Sequence, residues 1–269
     1  MKKKILIIGK RSIVAKIIKK KLQIYFLVKH ISFNDFKKIN QKTYKNFYLL
    51  INCSFKRDFN TLKKNPDIFI AKKIKKTSLK YIMLSSSKVY GVNSSKKKIT
   101  EKFKCNPLTA YGSIRFKTEN ILKKLLCEKL LILRVSNILM FDLRNDNLSK
   151  NLINQMLNSL KNKSLIKIPK KKVIKDFVTI EFLAEVLLKL IKKKSTGIFN
   201  ISSSFGISLR QIAFLLIKGF KSGKINYTND GSDSFVLSNK KLFKITKKVI
   251  NSKILKQYIF NLGKKLRNE

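Results

Sequence analysis

Ile5-Leu6-Ile7-Ile8-Gly9-Lys10-Arg11-Ser12-Ile13-Val14-Ala15-Lys16-Ile17-Ile18 changes its apolar spacing at the glycine. Before Gly9 the apolar residues are continuous, as in a short buried strand; after it they fall at Ile13, Val14, Ile17, Ile18 and Leu22, the spacing of one helix face. The stretch therefore reads as strand, tight turn, helix. Short apolar runs at Tyr25 to Val28, Tyr48 to Ile51 and Tyr81 to Leu84 each follow a Lys-rich amphipathic stretch. Beyond them, Tyr111 to Leu126 reads as a long helix, Leu130 to Val135 as a strand and Leu148 to Leu160 as a helix. Asp176 to Ile191 reads as a strand-helix unit, Gly197 to Ile201 as a strand, and the tail from Leu209 as two or more amphipathic helices. Strands alternating with helices predict an α/β fold with a doubly wound parallel sheet.

The chain has 269 residues, 44% of them hydrophobic, enough for one large domain or two interleaved lobes. It carries 62 Lys+Arg against 14 Asp+Glu, a formal net charge of +48, and only seven of the cations are Arg. Lys is spread from Lys2 to Lys265 rather than gathered on an arm, so no specific nucleic-acid binding is expected. Weak attachment to polyanions at low salt follows from net charge alone. The absence of Trp and the abundance of Lys, Ile, Asn and Phe match drift toward AT-rich codons and imply no function by themselves. Cys53, Cys105 and Cys127 share no metal-ligand spacing and are odd in number, so no metal, no disulfide framework and a cytoplasmic setting are expected. No apolar run approaches the roughly 20 residues of a membrane span.

In a dinucleotide fold the first strand-to-helix turn brings small residues against the pyrophosphate at the helix N-terminus. Here Gly9, Ser12 and Ala15 occupy the three small positions of a G-x-x-G-x-x-G spacing. Taken alone, the turn reads as an ordinary strand-helix connection, and a dinucleotide site is the alternative. Gly9, Arg11, Ser12 and Ile13 are its candidate contacts. The second strand ends in His30, Ile31 and Ser32 rather than in an acid for the ribose of NAD, and Lys10 and Arg11 can receive a 2′-phosphate, which leans toward NADP.

Leu84-Ser85-Ser86-Ser87-Lys88-Val89-Tyr90-Gly91 and Pro107-Leu108-Thr109-Ala110-Tyr111-Gly112-Ser113-Ile114-Arg115 resemble the extended short-chain dehydrogenase/reductase family, and more narrowly its NAD-dependent epimerase/dehydratase group, which acts on nucleotide sugars. Further stretches match in order: Asn52-Cys53-Ser54 after the third strand, Asn65 at a helix start, Glu119 on the Tyr helix, Arg134-Val135-Ser136-Asn137, Lys175-Asp176-Phe177-Val178 and Gly197-Ile198-Phe199-Asn200-Ile201. The resemblance implies a Rossmann-like, NAD(P)-binding domain over 1–140 and 173–202 and a smaller, interleaved C-terminal substrate lobe over 141–172 and 203–269. It implies a nucleotide-sugar substrate, a role in surface polysaccharide synthesis, and a homodimer through the Tyr111 helix, where Leu122, Leu125 and Leu126 serve either that interface or the core.

The resemblance also assigns roles. Tyr111 is the acid/base, Ser86 polarises the same sugar oxygen, and Arg115 is the electrostatic partner; Asn52, Ser54, Ser85, Tyr111 and Arg115 join the cofactor contacts, and Ser86, Ser87, Asn137 and Asp176 are the substrate contacts. For Asp176, structural pairing is the other reading. The chemistry explains the residue types: a free Tyr titrates near about pH 10, so proton exchange at neutrality needs a cation close by, and four residues along a helix is one turn on the same face. The family has Lys where Arg115 stands, and Arg is not a conservative exchange at a shaped site. Ser87-Lys88 replaces the Asp-Glu of the family's dehydratases, which disfavours dehydration and leaves epimerisation or 4-keto reduction by hydride transfer. Arg115, the sparse glycines and the charge of +48 carry a second reading: a catalytically weakened scaffold that binds a dinucleotide, a polyanion or a partner protein.

Overall fold

Alternate side chains of the first strand, β1 (Lys4–Ile8), enter two different cores: Ile5 and Ile7 one, Leu6 and Ile8 the other, all four fully buried. A strand covered by helices on both faces has no polar side to show, which is why it reads as a continuous apolar run. The structure is a computed structural model and describes residues 2–44, 46–54, 61–92, 94–141, 152–231 and 233–269. From β1 the chain passes through α1 (Ile13–Leu22) to β2 (Leu27–Ile31), then through α2 (Phe33–Lys38) and α3 (Gln41–Tyr44) to β3 (Leu49–Asn52). Next come α4 (Pro66–Ile74), β4 (Lys80–Ser86), a 3-10 turn (Ser87–Tyr90), α5 (Ala110–Leu126) and β5 (Leu130–Val135). The later elements are β6 (Asn137–Leu139), α6 (Leu152–Lys163), β7 (Leu165–Pro169), β8 (Ile174–Thr179), α7 (Ile180–Lys192) and β9 (Gly197–Ile201). After these follow β10 (Gly206–Ser208), α8 (Leu209–Phe220), β11 (Lys224–Thr228), α9 (Lys240–Thr246) and α10 (Ser252–Arg267).

Six strands form one parallel sheet in the order β2-β1-β3-β4-β5-β9. The core on one face takes side chains from α1, α6, α7, α8 and α10, and the core on the other from α2, α4 and α5. The doubly wound sheet expected from the sequence is therefore present. Its winding reverses between β1 and β3, and the crevice beyond the carboxyl ends of those strands is where open α/β sheets bind ligands. Two small sheets, β10-β8-β6 and β11-β7, come from later segments. Among the described residues no helix is long and apolar enough to cross a membrane.

Three expected elements differ in detail. The second strand, expected over 25–28, begins at Leu27, because the Tyr25 and Phe26 amides still donate to the Leu22 carbonyl as the chain leaves α1. The helix expected over 148–160 is found as Leu152–Lys163, with 148–151 outside the described residues. The tail holds β11 as well as helices.

Asp176 joins several of these layers. Its carboxylate, 3% exposed, accepts from Ser202 Oγ (2.6 Å), Ser203 Oγ (2.9 Å), Ser203 N (3.1 Å) and Leu237 N (3.0 Å), so β8, the end of β9 and the chain near residue 237 meet on one side chain. Burial pushes its pKa up to about 6, against the pull of these donors. The native state then holds this proton more tightly than the unfolded chain does, so the group's contribution to stability falls as pH rises from about 4 through 6. Asp176→Asn is expected to cost about 2–4 kcal/mol, because its amide nitrogen cannot accept from two of the four donors. It should also remove that pH dependence. Urea unfolding of both proteins between these pH values checks this, and parallel stability profiles would refute it.

Candidate active site

At the end of β1, Gly9 has φ +122°, and a Cβ there would lie 2.8 Å from the Cys53 carbonyl carbon and oxygen just past β3. Conformation and contact both demand glycine. The Gly9 amide donates to the Ile31 carbonyl at 2.8 Å, so the turn is braced on the end of β2 as well. Ser12 caps α1, its Oγ accepting from the Ala15 amide at 3.3 Å; Ile13 opens the helix half-buried, and Lys10 and Arg11 are exposed beside it. Across the crevice, Asn52 Oδ1 accepts from Ser54 N (3.0 Å) and Ser54 Oγ (2.6 Å). The structure thus gathers Gly9, Arg11, Ser12, Ile13, Asn52 and Ser54 at the carboxyl ends of β1 and β3. They fit a dinucleotide: no side chain on Gly9 obstructs the start of α1, and two exposed cations stand where phosphates meet a helix N-terminus.

At the end of β4, Ser86 Oγ accepts from the Lys88 amide at 3.2 Å and caps the 3-10 turn. A hydroxyl that accepts there keeps its proton for another partner. Ser87 is buried, and Ser85 Oγ donates to Glu119 Oε1 at 2.5 Å. The start of α5 lies against this turn. Thr109 Oγ accepts from the Gly112 amide at 3.1 Å, and a Cβ on Gly112 would sit 2.5 Å from the Lys88 carbonyl oxygen. The small residue after Tyr111 is what lets the Tyr helix abut the serine turn.

Arg115, one turn along from Tyr111, is 1% exposed. Its Nη1 donates to Asp67 Oδ2 at 2.8 Å and its Nη2 to the Leu84 carbonyl. Burial opposes its charge, yet Asp67 first and Tyr111 next hold its pKa above the ordinary arginine value. The cation expected beside Tyr111 is in place, and it shares its charge with an anion that sequence reasoning passed over. Asp67, buried at the start of α4, also accepts from Asn52 Nδ2 (2.8 Å) and Tyr81 Oη (2.5 Å). Its one sequence signal is an acid in an acid-poor chain, two residues after the capping Asn65. One turn further along α5, Glu119 Oε2 accepts from Arg134 Nη2 at 2.7 Å, and the Arg134 guanidinium lies 4.7 Å from the Tyr90 ring centroid.

Asn137 and Asp176 lie on the paired strands β6 and β8: Asn137 Nδ2 donates to the Asp176 backbone carbonyl at 2.9 Å, and the Asp176 carboxylate is engaged by protein groups. Beside the turn opens a cavity of about 640 Å³, lined by Lys88, two residues past Ser86, by Thr109, two before Tyr111, and by Lys171, Lys172 and Asp233 among others. Asp233 Oδ1 accepts from Lys88 Nζ (2.6 Å) and Lys175 Nζ (2.8 Å), tying the far wall to the serine turn. Leu122 and Leu126 are fully buried in the core, and Leu125 packs against it.

The family described as RmlD substrate binding domain matches residues 4–229. Among solved structures, the chain is similar to a dTDP-4-dehydrorhamnose reductase from Clostridium acetobutylicum at 22% identity and TM-score 0.78, over 96% of this chain and 99% of that one. It is similar to a UDP-N-acetylglucosamine 4-epimerase from Methanobrevibacter ruminantium at 16% identity and TM-score 0.80, over 98% of each chain. A dTDP-glucose 4,6-dehydratase from Bacillus anthracis, in complex with NAD, gives 16% identity and TM-score 0.79 over 97% of this chain and 96% of that one. No curated protein matches the chain. The shared fold is that of nucleotide-sugar reductases, epimerases and dehydratases, the extended short-chain dehydrogenase/reductase architecture that the sequence resembles.

Removing one partner of a buried ion pair strands the other ion, at a cost of about 3–5 kcal/mol. Asp67→Asn is expected to destabilise by that amount through the uncompensated Arg115 guanidinium, and Asp67→Asn combined with Arg115→Met to recover most of the loss. Denaturant titration of the two variants decides it; a double variant no more stable than the single would show that the pair is not the cause.

Proposed function

The chain belongs to the RmlD substrate binding domain family, and from that membership we propose that it is a nicotinamide-dependent enzyme that reduces the 4-keto group of a nucleotide-linked sugar. The observation that carries this reading is the packing of the Tyr111 helix on the Ser86 turn, with Arg115 one turn behind, at the border of the 640 Å³ cavity. The sugar nucleotide would lie between the part spanning 1–140 and 173–202 and the lobe spanning 141–172 and 203–269. The lean of Lys10 and Arg11 toward a 2′-phosphorylated cofactor favours reduction over epimerisation, and Ser87-Lys88 in place of Asp-Glu argues against dehydration.

Gly9, Ser12, Asn52 and Ser54 would hold a reduced nicotinamide dinucleotide, which would supply the hydride for the carbonyl carbon, and Lys10 and Arg11 beside Gly9 favour its 2′-phosphorylated form. Tyr111 gives its hydroxyl proton to the carbonyl oxygen, so that ketone becomes alcohol. Ser86, its oxygen already accepting from the Lys88 amide, donates a hydrogen bond to that same carbonyl oxygen. Arg115 opposes the negative charge left on Tyr111. Lys88, Lys171 and Lys172 give the cavity the positive charge that a diphosphate requires.

One observation favours the second reading, a catalytically weakened scaffold: both terminal nitrogens of Arg115 donate to protein, to Asp67 and to the Leu84 carbonyl. Purified protein given NADPH or NADH and nucleotide-linked 4-keto sugars at physiological salt is expected to consume nicotinamide absorbance. Tyr111→Phe and Ser86→Ala should each lower kcat/KM by about 10²–10⁴. Arg115→Lys separates the readings: a fall in turnover supports a site tuned around Arg, whereas a rise with unchanged cofactor affinity supports a weakened one. A folded protein that leaves the fluorescence of both nicotinamides unchanged would overturn the reductase reading.

A further inference from the structure

The edge of the six-stranded sheet opposite the crevice gathers cations that the sequence spreads out. In a parallel sheet wound with helices, every strand begins and every crossover helix ends at the same edge. Here α1, α4, α5 and α7 close there, each with lysine in its last turn. Side-chain contacts join these ends into one surface. Lys3 Nζ and Lys80 Nζ lie 4.3 Å and 5.7 Å from the Tyr48 ring centroid, at the starts of β1, β4 and β3. Lys129 Nζ, ahead of β5, donates to the Lys75 carbonyl (2.9 Å) and the Thr77 carbonyl (2.7 Å), behind α4. Lys192 Nζ, at the end of α7, lies 3.6 Å from the Tyr25 ring centroid, behind α1, and Lys194 shares a small cavity with Lys80 and Lys129.

Acids stand elsewhere on these elements. Asp67 and Glu181 occupy the first turns of α4 and α7, at the crevice end, Glu119 is buried against Arg134, and Glu185 pairs with Lys248. Glu128, between α5 and β5, is the one acid of these elements at the lysine edge among the described residues, and none of the lysines named there forms an ion pair among them. The helix dipole favours a cation in each last turn, so lysine has a purely local reason to be there. That reason does not extend to Ile24, Tyr25 and Leu27, which are 60%, 43% and 52% exposed where α1 leads into β2. Exposed apolar side chains beside unpaired lysines match an anionic bilayer, whose headgroups attract the ammonium groups and whose acyl boundary takes the apolar ones. A polynucleotide would satisfy the lysines but offer nothing to isoleucine and leucine.

We propose that this edge docks on an anionic phospholipid surface, with Ile24, Tyr25 and Leu27 entering the headgroup layer and the lysines ranged around them. The five residues of β1 span roughly 16 Å, so the docked chain would hold the crevice on its far side, open to solution. The test is sedimentation with phosphatidylcholine vesicles containing about 30% phosphatidylglycerol, at about 0.15 M salt, against phosphatidylcholine alone. The anionic vesicles are expected to carry the chain down and the neutral ones to leave it in solution. Lys192→Gln with Lys193→Gln and Lys194→Gln, all exposed, should weaken binding about tenfold or more. Lys96→Gln with Lys97→Gln and Lys98→Gln removes the same charge just past Ser94, which lines the cavity beside the serine turn, and should change it by no more than about twofold. Ile24→Ser with Leu27→Ser should weaken vesicle binding about fivefold and leave binding of oligouridylate unchanged. The chain has no Trp, so Tyr25→Trp puts a single reporter in the edge; its emission should move to shorter wavelength as anionic vesicles are added, whereas that of Tyr227→Trp, exposed on β11, should not. Equal losses in the two lysine variants would reduce binding to net charge and overturn the proposal. Full vesicle binding after Ile24→Ser with Leu27→Ser would overturn the apolar contact, and loss of oligouridylate binding in the Lys192 to Lys194 variant would then assign the edge to a polynucleotide. No sedimentation of the unsubstituted chain with anionic vesicles, or a shift in Tyr227→Trp alone, would overturn it as well. None of these outcomes depends on turnover, so an inactive protein would leave the test standing.

Discussion

The helix that carries Tyr111 buries a guanidinium and a carboxylate one turn apart, and neither ion can leave water without a partner. Arg115 finds Asp67 at the start of α4, and Glu119 finds Arg134 on β5 and Ser85 on β4. Between them Thr118 accepts from the Asn65 side-chain amide at 2.9 Å. Leu122 and Leu126 supply apolar burial on the same face, but apolar contact is non-directional and sets no register by itself. The hydrogen-bonded ions do, because their donors and acceptors meet at one rotation and one translation of the helix. Everything at the front of α5, including the approach of Gly112 to the serine turn, inherits that register.

The same network reaches the crevice beyond the carboxyl ends of β1 and β3. Asp67 accepts from Asn52 Nδ2, and the other end of that amide accepts both the Ser54 amide and its hydroxyl, closing the loop that faces Gly9. The cation beside Tyr111 and the floor of the crevice are thus two ends of one chain of hydrogen bonds, Arg115 to Asp67 to Asn52 to Ser54. A charge change at residue 67 is felt at both. This coupling gives physical content to an Arg where the family has Lys: its fork serves Asp67 and the Leu84 carbonyl together, which a single ammonium at the same reach would not do with the same geometry.

The central sheet was legible because each inner strand is buried on both faces, and a buried strand bounded by amphipathic helices leaves a dense apolar run. β2 was read two residues early because it is an edge strand: Leu27 is 52% exposed, and the apolar residues before it belong to the closing turn of α1. β6 and β10 span three residues each, too short for a period to show. At the candidate site, the turn after the first strand singles out Gly9, and the contiguous motifs that carry the family resemblance single out Ser86, Tyr111 and Arg115. Asp67 was missed because it meets Arg115 across 48 residues, and a long-range pair leaves no mark on spacing. Ser202 and Ser203 look like an ordinary polar turn; only the fold reveals them as donors to Asp176.

The charge of +48 acquires a different meaning once burial is known. Lys175 is the one buried lysine among the described residues, and it is held by Asp233; Arg115 and Arg134 are buried too, each against a carboxylate. The interior therefore keeps its ions paired, with Asp67 and Glu119 as counterions and Asp176 fixed by hydroxyls and amides, while the excess cations lie outside. An exposed lysine meets few constraints, because solvent and salt screen its neighbours within about 8 Å at physiological ionic strength. Drift toward Lys can run freely there, and it halts where a cation must be desolvated and matched to a fixed acceptor. The net charge accordingly governs what the surface attracts, whereas the fold and the site rest on a few carboxylates in the interior.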